Sequence, residues 1–152
     1  MTDSQQTPRK LPRGIRNNNP LNLRISNNPW RGKVYDGQDP AFEEFTSMVY
    51  GIRAAMINIR TIINRRIRAV GKCTLQDIIN VWAPPSDGNN TRSYVQQVAN
   101  AVGIATNVNI YFHPDIIIPI VVAMCNVENG LNPETHAPYI TTEQCKKAYN
   151  LI

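Results

Sequence analysis

The sequence predicts a mainly α-helical protein of the α+β class, a single domain with a small β-hairpin lobe. Three observations predict this fold. Apolar residues recur at helical spacing through residues 48–70, a ten-residue apolar run occupies residues 116–125, and short alternating segments separated by turn formers occupy residues 21–45. An apolar run of that length is too short to cross a bilayer and fits a buried helix. The helices therefore form the predicted core, and the alternating segments form the lobe.

The chain opens with a polar stretch, residues 1–12, whose composition predicts a disordered tail. This stretch lacks the apolar core of a secretory signal or of a membrane anchor, so neither is expected. Residues 13–152 remain, and their number suits one compact domain with a buried core.

The predicted lobe begins with residues 13–20, which are dense in Asn, Gly and Pro and therefore indicate turns. The alternation of Leu21, Leu23 and Ile25 then predicts a short strand. Two further strands are predicted for residues 30–35 and 41–45, with turns at 26–29 and 36–40. The lobe should thus contain two or three short strands.

Capping residues and helix breakers set the expected helix boundaries. Thr46 or Ser47 caps the helix of residues 48–70, and Gly71 ends it. Residues 105–113 are expected to be irregular. The remaining helices are predicted at 75–82 after Thr74, at 93–102 after Asn90 or Thr91, from Pro114 into the apolar run, and from 142 to about 151.

The charge of the chain favours an anionic partner, since the net charge is +5 and the pI is about 9.3. Nucleic acid, a membrane surface and an acidic cell-wall polymer all fit this sign. Arginines crowd the second half of the long helix, at positions 60, 65, 66 and 68. Exposed aromatic residues are not interleaved with them, so we interpret the cluster as a solvated helix face and expect no obligate nucleic-acid partner.

Cysteine and histidine spacing predicts neither a metal site nor a cofactor. The three cysteines, Cys73, Cys125 and Cys145, form no CxxC pair, and the two histidines have no partner at ligand spacing. Cys125 lies within the apolar run and should be a small buried residue.

Glu128 is the unusual residue of the apolar helix. It lies near the end of that helix, just before Asn129 and Gly130. A carboxyl group there can be partly desolvated, which raises its pKa and lets it hold a proton near neutral pH. Such a group is what a general acid for glycosidic-bond cleavage requires. The alternative is an exposed Glu in the last turn before a Gly cap.

Several short motifs along the chain can be compared with those of known proteins. The matching pieces cover residues 13–150 in combination, although none is specific alone. They are GIRNNNPLNLR at 14–24, NPWRG at 28–32, FEEF at 42–45, YGIRA at 50–54, WAPP at 82–85, Asn90-Thr91, Tyr94, ENG at 128–130 and Pro138-Tyr139. Together these motifs resemble a family of phage- and prophage-encoded, often virion-associated proteins, and this resemblance implies a phage origin and a structural or lysozyme-like role.

A more distant similarity is to bacterial glucosaminidases with a lysozyme-like fold. In those enzymes a helix ending in Glu-Ser-Gly precedes an Asn-Asn turn and strand, a Trp-x-Gly and an aromatic-x-aromatic strand. Here the later pieces resemble residues 18–24, 30–32 and 42–45, while the first resembles residues 128–130 at the other end of the chain. This order is that of a circular permutation. Asn129 replaces the Ser after the acid, and Pro20-Leu21 replaces Leu-Phe.

The resemblance implies a peptidoglycan-degrading glycosidase: a muramidase, a glucosaminidase or a lytic transglycosylase. Glu128 would be the general acid, and the other expected site residues, as substrate contacts, are Trp30, Glu44, Asn90, Tyr94 and Tyr139. Direct hydrolysis needs a second carboxylate, for which Asp36, Asp39, Glu43 and Glu44 are candidates. Without one opposite Glu128, a one-acid lytic transglycosylase is preferred. Each polar or aromatic candidate also has a plain structural explanation as a helix, turn or packing residue.

The expected partners are peptidoglycan glycan strands and other virion proteins. A chain without a signal would be made in the bacterial cytoplasm and then be carried in a virion or delivered to the periplasm or cell wall. The competing interpretation is a non-enzymatic phage structural or glycan-binding protein that keeps the fold.

Overall fold

A computed structural model describes residues 10–152, and helices make up most of this range. Residues 1–9, which carry most of the predicted disordered tail, lie outside it. The α-helices of the described chain are α1 (Arg13–Arg16), α2 (Met48–Val70), α3 (Leu75–Trp82), α4 (Thr91–Val102), α5 (Pro114–Asn129) and α6 (Thr142–Asn150), with a 3₁₀ turn at Pro85–Asp87. The mainly α class is therefore confirmed.

The helix boundaries follow the capping residues. The Ser47 side chain accepts a hydrogen bond from the Tyr50 N–H at the start of α2, and Gly71 ends this helix with φ of 80°. Capping boxes begin α3 at Thr74 and α6 at Thr141. Asn90 caps α4, which starts at Thr91, two residues earlier than predicted.

Helices α2 and α5 form the centre of the apolar core. The inner stripe of α2 includes Ile52, Met56, Ile59 and Ile63, each fully buried. Helix α5 packs against α4, α6, α1 and α2, which is why almost every side chain from Ile117 to Cys125 is apolar. All three cysteines are buried and unbonded. None of the helices in residues 10–152 combines the length and apolar character that a membrane span requires.

Residues 13–46 form a separate N-terminal lobe, and its predicted strands are not seen. Across this segment the described backbone forms only two isolated antiparallel bridges, Arg24 with Phe42 and Lys33 with Phe45. The reason is that the buried Asn19 side chain makes some of the hydrogen bonds that two paired strands would make with each other. The Asn19 amide donates to the Leu23 and Glu43 carbonyl oxygens at 3.0 and 2.9 Å, and its oxygen accepts from the Leu23 N–H at 2.9 Å.

Two acidic residues tie the rest of the lobe together. Asp39 accepts two hydrogen bonds of 2.6 Å from the Arg13 guanidinium and further bonds from Asn17 and the backbone. The Arg13 partner holds the pKa of Asp39 far below its usual range. Glu43 is almost fully buried and pairs with the Lys33 ammonium at 3.1 Å.

Several contacts fasten the lobe to the helical body, residues 47–152. The Trp82 indole N–H donates to the Leu21 carbonyl at 3.2 Å, and the Asn129 amide donates to the Pro20 carbonyl at 2.8 Å. Gly51 of α2 lies so close to the Asn18 carbonyl oxygen that a Cβ at this position would collide with it. These contacts set the lobe against the C-terminal end of α5, where Glu128 lies.

Candidate functional site

A groove of about 320 Å³ runs between the lobe and the helical body. We call it the central groove. The lobe supplies one wall, α2 the floor, and the end of α3 with the loop after it the other wall. Its lining residues are Asn22, Leu23, Arg24, Ser26, Asn28, Trp30, Asn58, Ile62, Val81, Trp82, Pro84 and Asp87. Its volume falls within the range of about 300–1,000 Å³ typical of ligand sites.

Two indole rings are the aromatic part of the apolar surface of this groove. Trp30 packs on a small cluster of Leu23, Phe45 and Ala54 at the base of the lobe. Trp82 was expected to be a core residue, and it does pack against the core, but one side of it also lines the groove. An indole that is fixed on one side and open on the other is suited to stacking on a flat apolar face, including the face of a sugar ring.

Glu128 is not among the residues that line the groove, but it contacts one of them. Its Oε1 accepts a hydrogen bond of 2.9 Å from the amide of Asn22, which is itself a groove residue. Asn22 has a φ of 54°, a left-handed conformation that Asn tolerates better than most residues. The half-buried carboxyl of Glu128 is therefore held at the junction of lobe and body, and does not project into bulk solvent.

The environment of Glu128 favours its neutral, protonated form. Burial raises its pKa, while the Asn22 amide and the nearby Tyr94 hydroxyl lower it without cancelling the effect. Tyr94 is buried, and its hydroxyl faces Glu128 without making a hydrogen bond of standard geometry. Burial, and next the Glu128 charge, raise the pKa of Tyr94, so this hydroxyl keeps its proton.

Three buried amide oxygens, in the lobe and at the end of α5, lack a hydrogen-bond donor. Within the described chain, the amide oxygens of Asn22, Asn126 and Asn129 are buried and have no hydrogen-bond partner. Those of Asn22 and Asn129 both point at Gly14, where a Cβ would lie 3.0 and 2.7 Å from them. Acceptors of this kind are costly unless they meet a donor.

The structure brings together some of the sequence-predicted site residues and separates others. Trp30 lines the groove, and Tyr94 lies beside Glu128. Glu44 instead accepts a hydrogen bond from the Asp39 N–H at 2.9 Å within the lobe, and Asn90 accepts one from the Ser93 N–H at the start of α4. Tyr139 is half-buried in the loop between α5 and α6.

The carboxylates considered as second acids are occupied within the lobe or exposed on it. Asp39 binds Arg13, Glu43 binds Lys33, and Glu44 binds the backbone of the turn at residues 36–40. Asp36 is exposed in that same turn. Among the described residues that line the groove, Asp87 is the one carboxylate, and it lies on the exposed 3₁₀ turn.

Sequence reasoning missed Asn22 and Asp87 and undervalued Trp82. Asn22 is one of several asparagines in a turn-rich segment, and only its left-handed backbone and its contact with Glu128 distinguish it. Over residues 10–152, no group of three or more His, Cys, Asp or Glu side chains converges in a way that could hold a metal ion.

The fold and the groove together define a small, mainly α-helical protein with a half-buried carboxyl group at the edge of a ligand-sized cleft. The chain is 39% identical over 129 residues to protein P5 of Pseudoalteromonas phage PM2, a match that covers 82% of this chain and 75% of that protein. It belongs to the family of this phage protein. No protein-family profile matches the sequence.

Proposed function

We propose that the protein is a peptidoglycan-cleaving glycosidase whose general acid is Glu128, and that it works as a lytic transglycosylase. The observation that carries the proposal is the position of Glu128. Its carboxyl is half-buried, is hydrogen-bonded to a residue of the groove wall, and lies in surroundings that favour its protonated form. A general acid must hold a proton near neutral pH and lie beside the bond that it cleaves.

The first chemical step is proton transfer from Glu128. The glycan strand lies in the central groove with sugar faces against Trp30 and Trp82, next to Asn22. The Glu128 O–H gives its proton to the glycosidic oxygen as the C1–O bond breaks, and positive charge develops on the sugar ring. Asn22 and Tyr94 orient the carboxyl, since both lie against it.

The second step needs no additional carboxylate. The C6 hydroxyl of the same sugar attacks C1, and the Glu128 carboxylate takes up the proton that this hydroxyl loses. The product is a 1,6-anhydro sugar, and the acid is regenerated. The lobe carboxylates support this choice over hydrolysis, because Asp39, Glu43 and Glu44 are occupied by other partners.

The proposal includes a lysozyme-like arrangement with the acid-bearing helix near the end of the chain. In support of a circular permutation, residues far apart in the sequence are neighbours at the site. Asn22 contacts Glu128 across 106 positions, and Asn129 contacts Pro20 across 109 positions. The relationship to a phage protein supports a role in a virion, beside other virion proteins, or delivery to the cell wall.

Mass spectrometry of purified peptidoglycan after incubation with the protein tests this function. A lytic transglycosylase releases anhydro-sugar fragments, whereas a hydrolase releases fragments with a reducing end. Glu128→Gln should abolish product formation with an unchanged circular-dichroism spectrum. Asp87→Asn should still release anhydro products, since the one-acid mechanism needs no second carboxylate. Full activity of Glu128→Gln would overturn the assignment.

A non-enzymatic glycan-binding protein is the second candidate. The observation in its favour is that Asn22 lies between Glu128 and the groove and holds the carboxyl by a hydrogen bond. This candidate predicts that the protein sediments with cell walls, equally well as wild type or as Glu128→Gln, and releases no sugar fragments of either kind.

A further inference from the structure

Helix α2 carries a concentration of positive charge on its outer surface. Its 23 residues include five arginines and no acidic residue. Arg60, Asn64 and Arg68 are spaced four residues apart and therefore follow one another along one face of the helix, over about 12 Å at about 1.5 Å per residue. Arg60 is half-buried, and Asn64 and Arg68 are exposed. We call these three residues, together with the exposed Arg65 beside them, the arginine face.

The arginines of this face are available to a partner. Among residues 10–152 they have no ion pair and no hydrogen-bond acceptor, unlike the adjacent Arg66, which lies 3.5 Å from Asp77. Positive side chains near the end of a helix also complement its dipole, so the helix alone accounts for their charge. A binding surface therefore needs a second, independent feature.

The second feature is Tyr111, which lies in the segment between α4 and α5. It is 63% exposed. Two hydrogen bonds hold its polar end in place: the Cys73 N–H donates to the Asn109 Oδ1 at 2.9 Å, and the Asn109 amide donates to the Tyr111 hydroxyl at 3.0 Å. A ring that is exposed and tied at its hydroxyl has a face available for stacking.

The segment that carries Tyr111 packs along the second half of α2. The Ile110 N–H donates to the Cys73 carbonyl oxygen at 2.7 Å, just past the end of this helix. The Arg60 guanidinium lies over the Phe112 ring, 5.8 Å from its centroid. Tyr111 is therefore placed between two contacts with α2 and its end, beside the arginine face. The fold thus supplies the exposed aromatic residue that the sequence around the arginines lacks.

The acidic residues that flank these segments in the sequence have partners of their own. Asp77, which follows α2, is paired with Arg66, and Asp115, which follows Tyr111, lies 3.7 Å from the His113 imidazole. Arginines that are free to bind phosphates, next to an aromatic ring that is free to stack on a base, are typical of surfaces that bind single-stranded nucleic acid.

We propose that the arginine face and Tyr111 bind single-stranded nucleic acid. The arginines contact successive phosphates, and one base stacks on the Tyr111 ring. A polyanion without bases uses the arginines but not the ring, so the ring makes the surface selective for nucleic acid. The inference is independent of the glycosidase, since Tyr111 and the arginines at 60, 65 and 68 are not among the residues that line the central groove.

Fluorescence anisotropy with labelled strands of about 12 nucleotides tests this surface, since single-strand sites span about 4–16 nucleotides. The probes are oligo-deoxythymidine, oligo-ribouridine and an abasic deoxyribose-phosphate strand of the same length. The two strands with bases should bind, and their affinity should fall as the salt concentration rises. The abasic strand should bind about tenfold more weakly, because it cannot stack. The ratio of the deoxythymidine and ribouridine affinities distinguishes DNA from RNA.

The Tyr111 ring is tested by substitution. Tyr111→Ala should weaken binding of oligo-deoxythymidine about tenfold and change binding of the abasic strand less than about twofold. Tyr111→Phe keeps the ring and should retain most of the affinity. Tyr35→Ala is the matched control, because Tyr35 is an exposed tyrosine of the lobe, and it should leave both affinities unchanged.

The arginine face is tested by the salt dependence. Arg68→Ala should weaken binding of every strand and should reduce the slope of log affinity against log salt by about 0.7, the value for one phosphate of a single strand. Arg92→Ala removes the same charge from the exposed surface of α4 and should leave that slope unchanged.

Three results would overturn the proposal. The first is equal weakening by Arg68→Ala and Arg92→Ala, which would reduce the effect to general attraction. The second is an affinity for oligo-deoxythymidine that equals the affinity for the abasic strand or that survives Tyr111→Ala, since no base would then be stacked. The third is no measurable binding of any strand at low salt. Release of sugar fragments from peptidoglycan has no bearing on these results, so this proposal and the glycosidase fail separately.

Discussion

The N-terminal lobe and the helical body are stabilised by different interactions. The body encloses aliphatic side chains of α2, α3, α4 and α5 in one continuous core. The lobe has only a few buried apolar residues, yet it contains three of the four buried polar residues in the described chain, Asn17, Asn19 and Glu43. Apolar burial depends mainly on area, whereas buried polar groups stabilise only if each finds its partner. The lobe should therefore be the more sensitive region to small changes in geometry.

A substitution at the contact between the two regions should cause the largest loss of stability. Alanine is normally about 1 kcal/mol better than glycine inside a helix. At position 51 we expect the opposite, because the added Cβ would collide with the Asn18 carbonyl oxygen. Gly51→Ala should lower the free energy of unfolding by about 3 kcal/mol, measured by urea denaturation.

Gly103→Ala provides the comparison within the body. Gly103 has a φ of 80° but nothing within 4 Å of its missing Cβ. At this position only backbone strain should lower the free energy of unfolding, by about 1 kcal/mol. If Gly51→Ala were as stable as the wild type, close packing of the lobe on α2 would be wrong.

The next largest loss of stability is expected when the buried ion pair of the lobe is broken. The Lys33 ammonium binds Glu43 and also the Ser26 and Asn28 carbonyl oxygens, which belong to groove residues. Lys33→Met leaves the Glu43 charge buried without its partner and should cost about 2 kcal/mol in urea denaturation. The double variant Lys33→Met/Glu43→Gln should recover part of this loss, since the uncompensated charge is gone. Strictly additive losses would show that the two side chains do not act as a pair.

Acid should weaken the lobe through Asp39. The pKa of this carboxyl is lowered in the folded state, so its contribution to stability is present above the ordinary carboxyl pKa of about 4 and is lost as the pH falls below it. Asp39→Asn should lower the Tm by about 5 °C at pH 7, and the difference should shrink below about pH 4.

Asp36→Asn is the control for that measurement, because Asp36 is exposed in the same turn. Its Tm should stay within about 1 °C of the wild type at every pH. A constant difference between Asp39→Asn and the wild type from pH 7 to pH 3 would contradict the assigned role of the carboxylate.

The smallest expected effect lies in the helical body, at Glu128. The pH dependence of stability there should be opposite in sign to that at Asp39. Burial raises the pKa of this carboxyl, so the folded state holds its proton more tightly than the unfolded state does. Its contribution to stability is greatest below the ordinary carboxyl pKa and is lost as the pH rises through the folded value. Glu128→Gln should therefore gain Tm relative to the wild type between pH 4 and pH 8, as followed by circular dichroism.

The exposed Glu134 provides the reference, and Glu134→Gln should show no such trend. A Tm for Glu128→Gln that falls relative to the wild type with rising pH would mean that the carboxylate is stabilised in the fold. That result would remove the physical basis for a proton-holding acid.

Much of the helical body could be predicted, because its signals are local. The stripe through Ile52, Met56 and Ile59 has helical period, and Ser47, Thr74 and Thr141 begin helices with their own side chains. The short helix α1 was missed, since Gly and Asn in residues 13–20 read as turns. The segments predicted as strands of the lobe pair only through isolated bridges, and alternation cannot reveal that Asn19 takes bonds that a regular ladder would use.

The sequence by itself determined helices α2 to α6, the apolar character of α5, the place of Glu128 at the end of that helix and the basic charge of the chain. These properties depend on residue type and on spacing within a few turns. Only the tertiary structure decided that Asn22 reaches Glu128 across 106 positions, that Trp30 and Trp82 share one groove, and that Glu44 and Asn90 bond elsewhere. The physical reason is that hydrogen-bond partners and groove walls depend on how the lobe packs on the helices, and local periodicity carries no record of that packing.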